Sequence, residues 1–147
     1  MADSFWLAKV GPRADLYKAD LRQANLRGQS LATAFLMNAD LSEADLAEAD
    51  LTMVDLMRAN LSGADLSGAN LTGADLRMAD LSHANLRGAH LNRANLELAN
   101  LRDAHLEGAD LTAEVPDGYR IVTYTPDLAA DLLKLNAQAF AHHPEQG

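Results

Sequence analysis

Leu recurs every five residues, without a slip, from Leu16 to Leu111. Two positions before each Leu stands Ala, except at Gln29 and Val54. Between them sits usually Asp or Asn, as in Ala14-Asp15-Leu16 or Ala69-Asn70-Leu71. Twenty consecutive A-(D/N)-L-x-x units therefore run from Ala14 to Ala113. A spacing of five suits neither common element. On an α-helix each step of five passes a full turn by about 140°, which scatters the Leu side chains around the axis. On a flat strand an odd spacing flips successive Leu residues between the two faces. The pattern instead predicts a chain that turns a corner in every unit, so that each Leu and each Ala points at a common axis.

A slower rhythm counts the corners in one circuit. Ser42, Ser62 and Ser82 are spaced by twenty, and Thr52, Thr72 and Thr112 fall on a twenty-residue lattice at the same slot. Gly28, Gly68, Gly88 and Gly108 share a third such lattice. Like residues stack in columns when a coil holds twenty residues, so four units make a coil and the repeat makes five coils.

These units resemble the pentapeptide-repeat family over 100 of the 147 residues. The resemblance implies an all-β solenoid, the right-handed quadrilateral β-helix, with the Leu and the preceding Ala inward and the other three positions outward. Coils about 4.8 Å apart then give a rod about 24 Å long. Gln29 and Val54, both larger than Ala, are where the wall is expected to bulge.

The flanks break the frame and divide the chain into three segments. Residues 1–13 hold the only Trp, and Phe5, Trp6 and Leu7 are expected to lie on the first coil as an N-terminal cap. Residues 14–113 are the repeat. In 114–147, Pro116-Asp117-Gly118 marks a turn, and Tyr119 to Tyr124 reads as a short strand. Thr125 and Pro126 then open a helix to about Ala141. Its apolar side carries Leu128, Leu132, Leu135 and Phe140, which predicts either a cap on its own rod or a homodimer contact.

Chemistry narrows the picture further. The chain has no Cys, which excludes disulfides, thiolate catalysis and Cys-based metal sites. Nearly all Asp residues of the repeat occupy the slot that Asn fills equally well, so their expected role is turn hydrogen bonding rather than acid–base work. His83, His90 and His105 fall on different sides of the coil, and His142 and His143 lie near the end. No glycine-rich phosphate loop, zinc spacing or Ser-His-Asp order is present. The reading is of a protein without catalytic, cofactor or metal sites. Without a basic leader at Met1 to Val10 or a run of about 20 apolar residues, the expected setting is the cytoplasm.

Two functions compete. The net charge of −9 opposes direct binding to nucleic acid or an anionic membrane. Some pentapeptide-repeat proteins protect DNA gyrase from quinolones or toxins by resembling duplex DNA, so the resemblance implies gyrase as one partner. The repeat carries 15 acids and 8 bases. That is about half the charge density of a duplex of equal length. The most acidic side, with Asp20, Asp40, Glu43, Asp80 and Asp103, is interrupted by Arg22 and Arg102. The favoured function is a protein-interaction scaffold. The lattice stacks Tyr17, Met37 and Met57 in one outward column, with Phe35, Met78 and Leu98 beside it, and contiguous exposed apolar side chains mark a contact surface.

Overall fold

The computed structural model describes residues 3–112. The segments expected to form a strand at 119–124 and a helix at 126–141, with Leu128, Leu132, Leu135 and Phe140, lie outside the described residues.

The five-residue period acts through the backbone first. Leu is followed by two turn residues, and the N–H of the next Ala closes the turn on the Leu carbonyl, as from Ala19 to Leu16 at 3.0 Å. The third residue of every turn from Arg13 to Gly108 has φ between +56° and +73°. A positive φ at the third position alone is the signature of a type II turn. At fourteen of these twenty corners the residue is not Gly. A left-handed residue is thus repeated at every corner, and the pairing between coils holds it there.

Parallel bridges join residue n to n+20 without interruption, from Asp15–Phe35 to His90–Asp110. Five coils of four sides follow, and no helix enters the span from 14 to 112. The backbone donors of a middle pentad account for the consensus. The Asp40 N–H donates down to the Ala19 carbonyl (2.9 Å), and the Leu41 N–H donates up to Asn60 (2.7 Å). The Glu43 N–H donates up to Ser62 (2.9 Å), and the Ala44 N–H closes the turn (3.1 Å). Only the N–H of Ser42 lacks a backbone acceptor, and Asp40 Oδ1 takes it at 3.0 Å. The slot before Leu is Asp or Asn because either supplies that oxygen.

Inside, the Leu ladder is fully enclosed from Leu16 to Leu86, with Ala between. Each such Leu contributes roughly 1.5–3 kcal/mol by leaving water. Enclosure falls off in the last coil, where Leu101 and Leu111 are 9% exposed. The expected bulges do not form. Val54 is buried and stretches its turn bond only to 3.2 Å. Gln29 is exposed, and its ladder bonds stay at 3.0 and 2.9 Å. It belongs to the first coil, which meets the cap of residues 3–13 rather than a further coil.

At the N-terminal end, helix α1 (Ser4–Leu7) is capped by Asp3, whose Oδ1 accepts the Phe5 N–H at 2.9 Å. The Asp3 N–H reaches the Asp20 carbonyl of the first coil at 3.2 Å. Trp6 and Val10 pack against the core, whereas Phe5 and Leu7 are exposed. One turn of helix turns a single side toward the coil, so adjacent residues cannot all cover it.

Candidate protein-interaction face

The side of the rod built from residues 14–18, 34–38, 54–58, 74–78 and 94–98 differs from the other three. Elsewhere the outward positions are mostly Ser, Thr, Gly, Asn or charged residues. This side carries Tyr17, Phe35, Met78 and Leu98, with Leu98 74% exposed and Phe35 54%. Met37 and Met57 stand in the same set but are half-buried. They occupy the middle of a stacked column, with Tyr17 below and Arg77 above, so each is shaded by its neighbours along the rod. Met78 and Leu98 sit at corners, where side chains diverge.

Met53 belongs to this surface and is 57% exposed. It occupies the corner that opens onto this side, and its sulfur lies in the space a Cβ of Gly73 would fill. Considered as flat columns, the sequence hides it. It belongs to the preceding unit, and only the closing of the corner brings it alongside.

Phe35 is the most informative member. Sixteen Asp or Asn residues in the slot before Leu accept the N–H two residues on. At Ser30, Phe35, His90 and His105 no such bond forms among the described residues. Phe35 gives up a turn acceptor and places an aromatic ring in solvent between Asp15 and Asp55 of the adjoining coils. The turn at Phe35 thus lacks the acceptor that Asp55 supplies one coil above.

Charge on this side is nearly balanced. Arg77 grips Asp75 through two bonds, Nε to Oδ1 at 2.9 Å and Nη2 to Oδ2 at 2.6 Å. That grip holds the Asp75 carboxyl below its ordinary range. The Lys18 ammonium lies 5.3 Å from the Tyr17 ring centre.

The acidic side is less open than its composition suggests. Asp20 is held by the Arg22 guanidinium at 2.8 and 2.7 Å, which takes its carboxyl down to about 2. Asp40 and Asp80 each accept both the N–H and the hydroxyl of a following Ser. Asp103 stands 3.8 Å from both Arg102 and His83. Carboxylates tied to the turns and to neighbouring cations serve the scaffold. Among the described residues no group of three or more His, Asp or Glu could hold a metal ion. No helix among them is long and apolar enough to cross a membrane.

Comparison with known proteins agrees with this geometry. The family model described as pentapeptide repeats matches in eight copies, over residues 39–77 and 79–113. A pentapeptide repeat protein from the Arabidopsis thaliana thylakoid lumen is 32% identical, with 76% of each chain covered and a TM-score of 0.63. One from Nostoc PCC 7120 is 36% identical, covering 78% of this chain and 84% of its own, with a TM-score of 0.48. The plasmid-mediated fluoroquinolone resistance protein QnrB1 is more distant, at 18% identity, 82% of each chain and a TM-score of 0.24. Its role has no bearing on this chain at that distance. No protein of curated function matches the sequence. The unbroken frame, the family model and the Arabidopsis neighbour converge, and this chain belongs to the pentapeptide-repeat family, whose fold is the right-handed quadrilateral β-helix.

Proposed function

We propose that this rod is a non-enzymatic scaffold that presents the side bearing Tyr17, Phe35, Met37, Met57, Met78 and Leu98 to a protein partner, either another protein or a second copy. The observation that carries this reading is Phe35: a large apolar side chain, 54% exposed, placed where the repeat otherwise puts a turn acceptor. Met53, Met78 and Leu98 extend the surface along the rod. Exposed apolar side chains gathered on one side of a repeat protein are the usual mark of a contact. In the same reading, residues 1–13 close the first coil through Trp6 and Val10.

Affinity capture with the parent rod and with a Phe35→Asn/Leu98→Ser variant tests the proposal. The expected result is a protein retained by the parent and lost from the variant, both showing the same cooperative melt. Equal capture by both would remove the face from the account. A gyrase supercoiling assay covers the DNA-mimic reading. An effect abolished by Asp40→Asn/Glu43→Gln/Asp80→Asn, yet indifferent to the Phe35 change, would move the function to the acidic side.

A further inference from the structure

Leu and Met carry similar apolar bulk, and protein cores exchange them at small cost. This chain nevertheless keeps them apart. All twenty inward ladder positions from Leu16 to Leu111 hold Leu, and none holds Met. After Met1, every Met of the sequence (Met37, Met53, Met57 and Met78) stands outward on the one apolar face. None of the four belongs to the enclosed core. The corners repeat the segregation. Of the fourteen left-handed corners that are not Gly, eleven carry polar or charged side chains. The other three, Met53, Met78 and Leu98, all border this face. Met53 and Met78 are 57% and 38% exposed, and the missing side chain of Gly73 leaves room for the Met53 sulfur beside it. What Met offers at these places and Leu does not is a flexible thioether whose sulfur two-electron oxidants attack. In a chain without Cys, no thiol of its own competes for such an oxidant.

We propose that Met53 and Met78 are reversible oxidation sites, at which a hydroperoxide turns the apolar face polar and releases its partner while the rod stays folded. The sulfur lone pair attacks one peroxide oxygen, and the S–O bond forms as the O–O bond breaks. With hydrogen peroxide the other oxygen leaves as water. Sulfur loses two electrons, and the peroxide gains them. A thiol-dependent reductase reverses the step: two thiols become a disulfide, and the sulfoxide oxygen leaves as water. The oxidised side chain sets a strong acceptor oxygen within an apolar contact, where burial without a donor weakens binding. The ladder is untouched, because both sulfurs lie outside it. Both residues join their coils through the backbone, Met53 N–H to Thr72 and Met78 N–H to Glu97, at 2.9 Å each. Release of a partner rests on the scaffold reading, whereas the oxidation sites stand on the geometry of the rod.

The test titrates hydrogen peroxide onto the full-length chain and onto Met53→Leu/Met78→Leu. Leu98 already occupies a corner with φ of 61°, so the backbone accepts Leu there. Peptide masses report each sulfur, retention on an apolar chromatography resin reports the face, and thermal melts report the fold. Met53 and Met78 are expected to gain oxygen at least about threefold faster than the half-buried Met37 and Met57. Retention of the parent shortens, its melt stays within a few degrees, and a methionine sulfoxide reductase with a dithiol restores the retention. The Leu variant keeps its retention at the same dose. Capture of the protein that the parent retains falls about fivefold or more on oxidation, and capture by the Leu variant does not. One common rate at all four sulfurs, a collapsed melt or unchanged retention would overturn the oxidation sites. If the sites behave as expected and capture depends on Phe35 but ignores peroxide, the switch falls alone. Equal peroxide sensitivity of capture by the Leu variant also removes the switch. If capture ignores Phe35→Asn without any peroxide, the scaffold reading falls and release with it, while masses and retention still decide the oxidation sites.

Discussion

Phe35 occupies the position from which an Asp or Asn oxygen would accept the backbone N–H of Met37. One coil above, Asp55 Oδ1 takes the equivalent N–H of Met57 at 3.1 Å. Replacing Phe35 by Asn should restore the missing bond, without adding a third carboxylate between Asp15 and Asp55. A turn bond of this kind contributes about 1 kcal/mol, against a modest loss from a ring already half in water. The variant is expected to melt at the parent temperature or a few degrees above it, while partner capture collapses. A melt lowered by many degrees would show that the ring supports the fold.

Asp65 and Asp75 test whether the carboxylates act as more than turn acceptors. Each accepts the N–H two residues on, Ser67 at 3.0 Å and Arg77 at 3.2 Å. Changing both to Asn keeps those bonds and should shift stability by about 1 kcal/mol, since the Asp75–Arg77 pair is only partly exposed, with side chains 28% and 41% accessible. Changing both to Ala should cost about 1 kcal/mol at each site. Denaturant melts distinguish the two pairs. A loss of biological activity in the folded Asn variant would bring back a catalytic or metal-binding role.

Acid should loosen the rod in a defined window. The Arg22 guanidinium takes Asp20 down to about 2, and Arg77 lowers Asp75. For Asp65, burial raises the carboxyl, but bonds from Ser67 outweigh it and the net direction is down. Asp110 is lowered by Asn92 and the Thr112 N–H. A carboxylate held lower in the folded state than in the unfolded state adds stability above its unfolded value, and that stability is lost as pH falls through the folded value. The melting temperature should therefore be flat in this respect down to about pH 5, then fall between about pH 4 and 2. A rod that melts higher at pH 3 than at pH 6 would place like-charge repulsion above these bonds.

Enclosure along the rod predicts a gradient of sensitivity. Leu61 and Leu101 share one column, but Leu61 is fully buried and Leu101 is 9% exposed in the last coil. Leu61→Ala should cost about 3–5 kcal/mol, and Leu101→Ala should fall at or below the lower end of the 2–5 kcal/mol usual for such changes. Leu66→Asp, in the middle coil, should abolish the cooperative melt by burying an unpaired charge. Equal costs at Leu61 and Leu101 would show that the last coil is as tightly closed as the middle.

The sequence by itself determined the frame, the inward ladder and the purpose of the Asp/Asn slot. All three repeat every five residues and are enforced by each unit's own turn, so a local pattern carries them. It also marked Tyr17, Phe35, Met78 and Leu98 as outward. Only the tertiary structure decided how far each outward side chain stands in water. Met37 and Met57 are half-buried because stacking at one coil spacing shades the middle of a column. Met53 joins the face because a corner folds it there from the preceding side, and Gln29 stands exposed in a first coil that meets the N-terminal cap rather than a further coil. Phe5 and Leu7 remain exposed because one turn of helix turns only one side to the core. Exposure depends on neighbours twenty residues away and on where the rod stops, and neither is written in a five-residue motif.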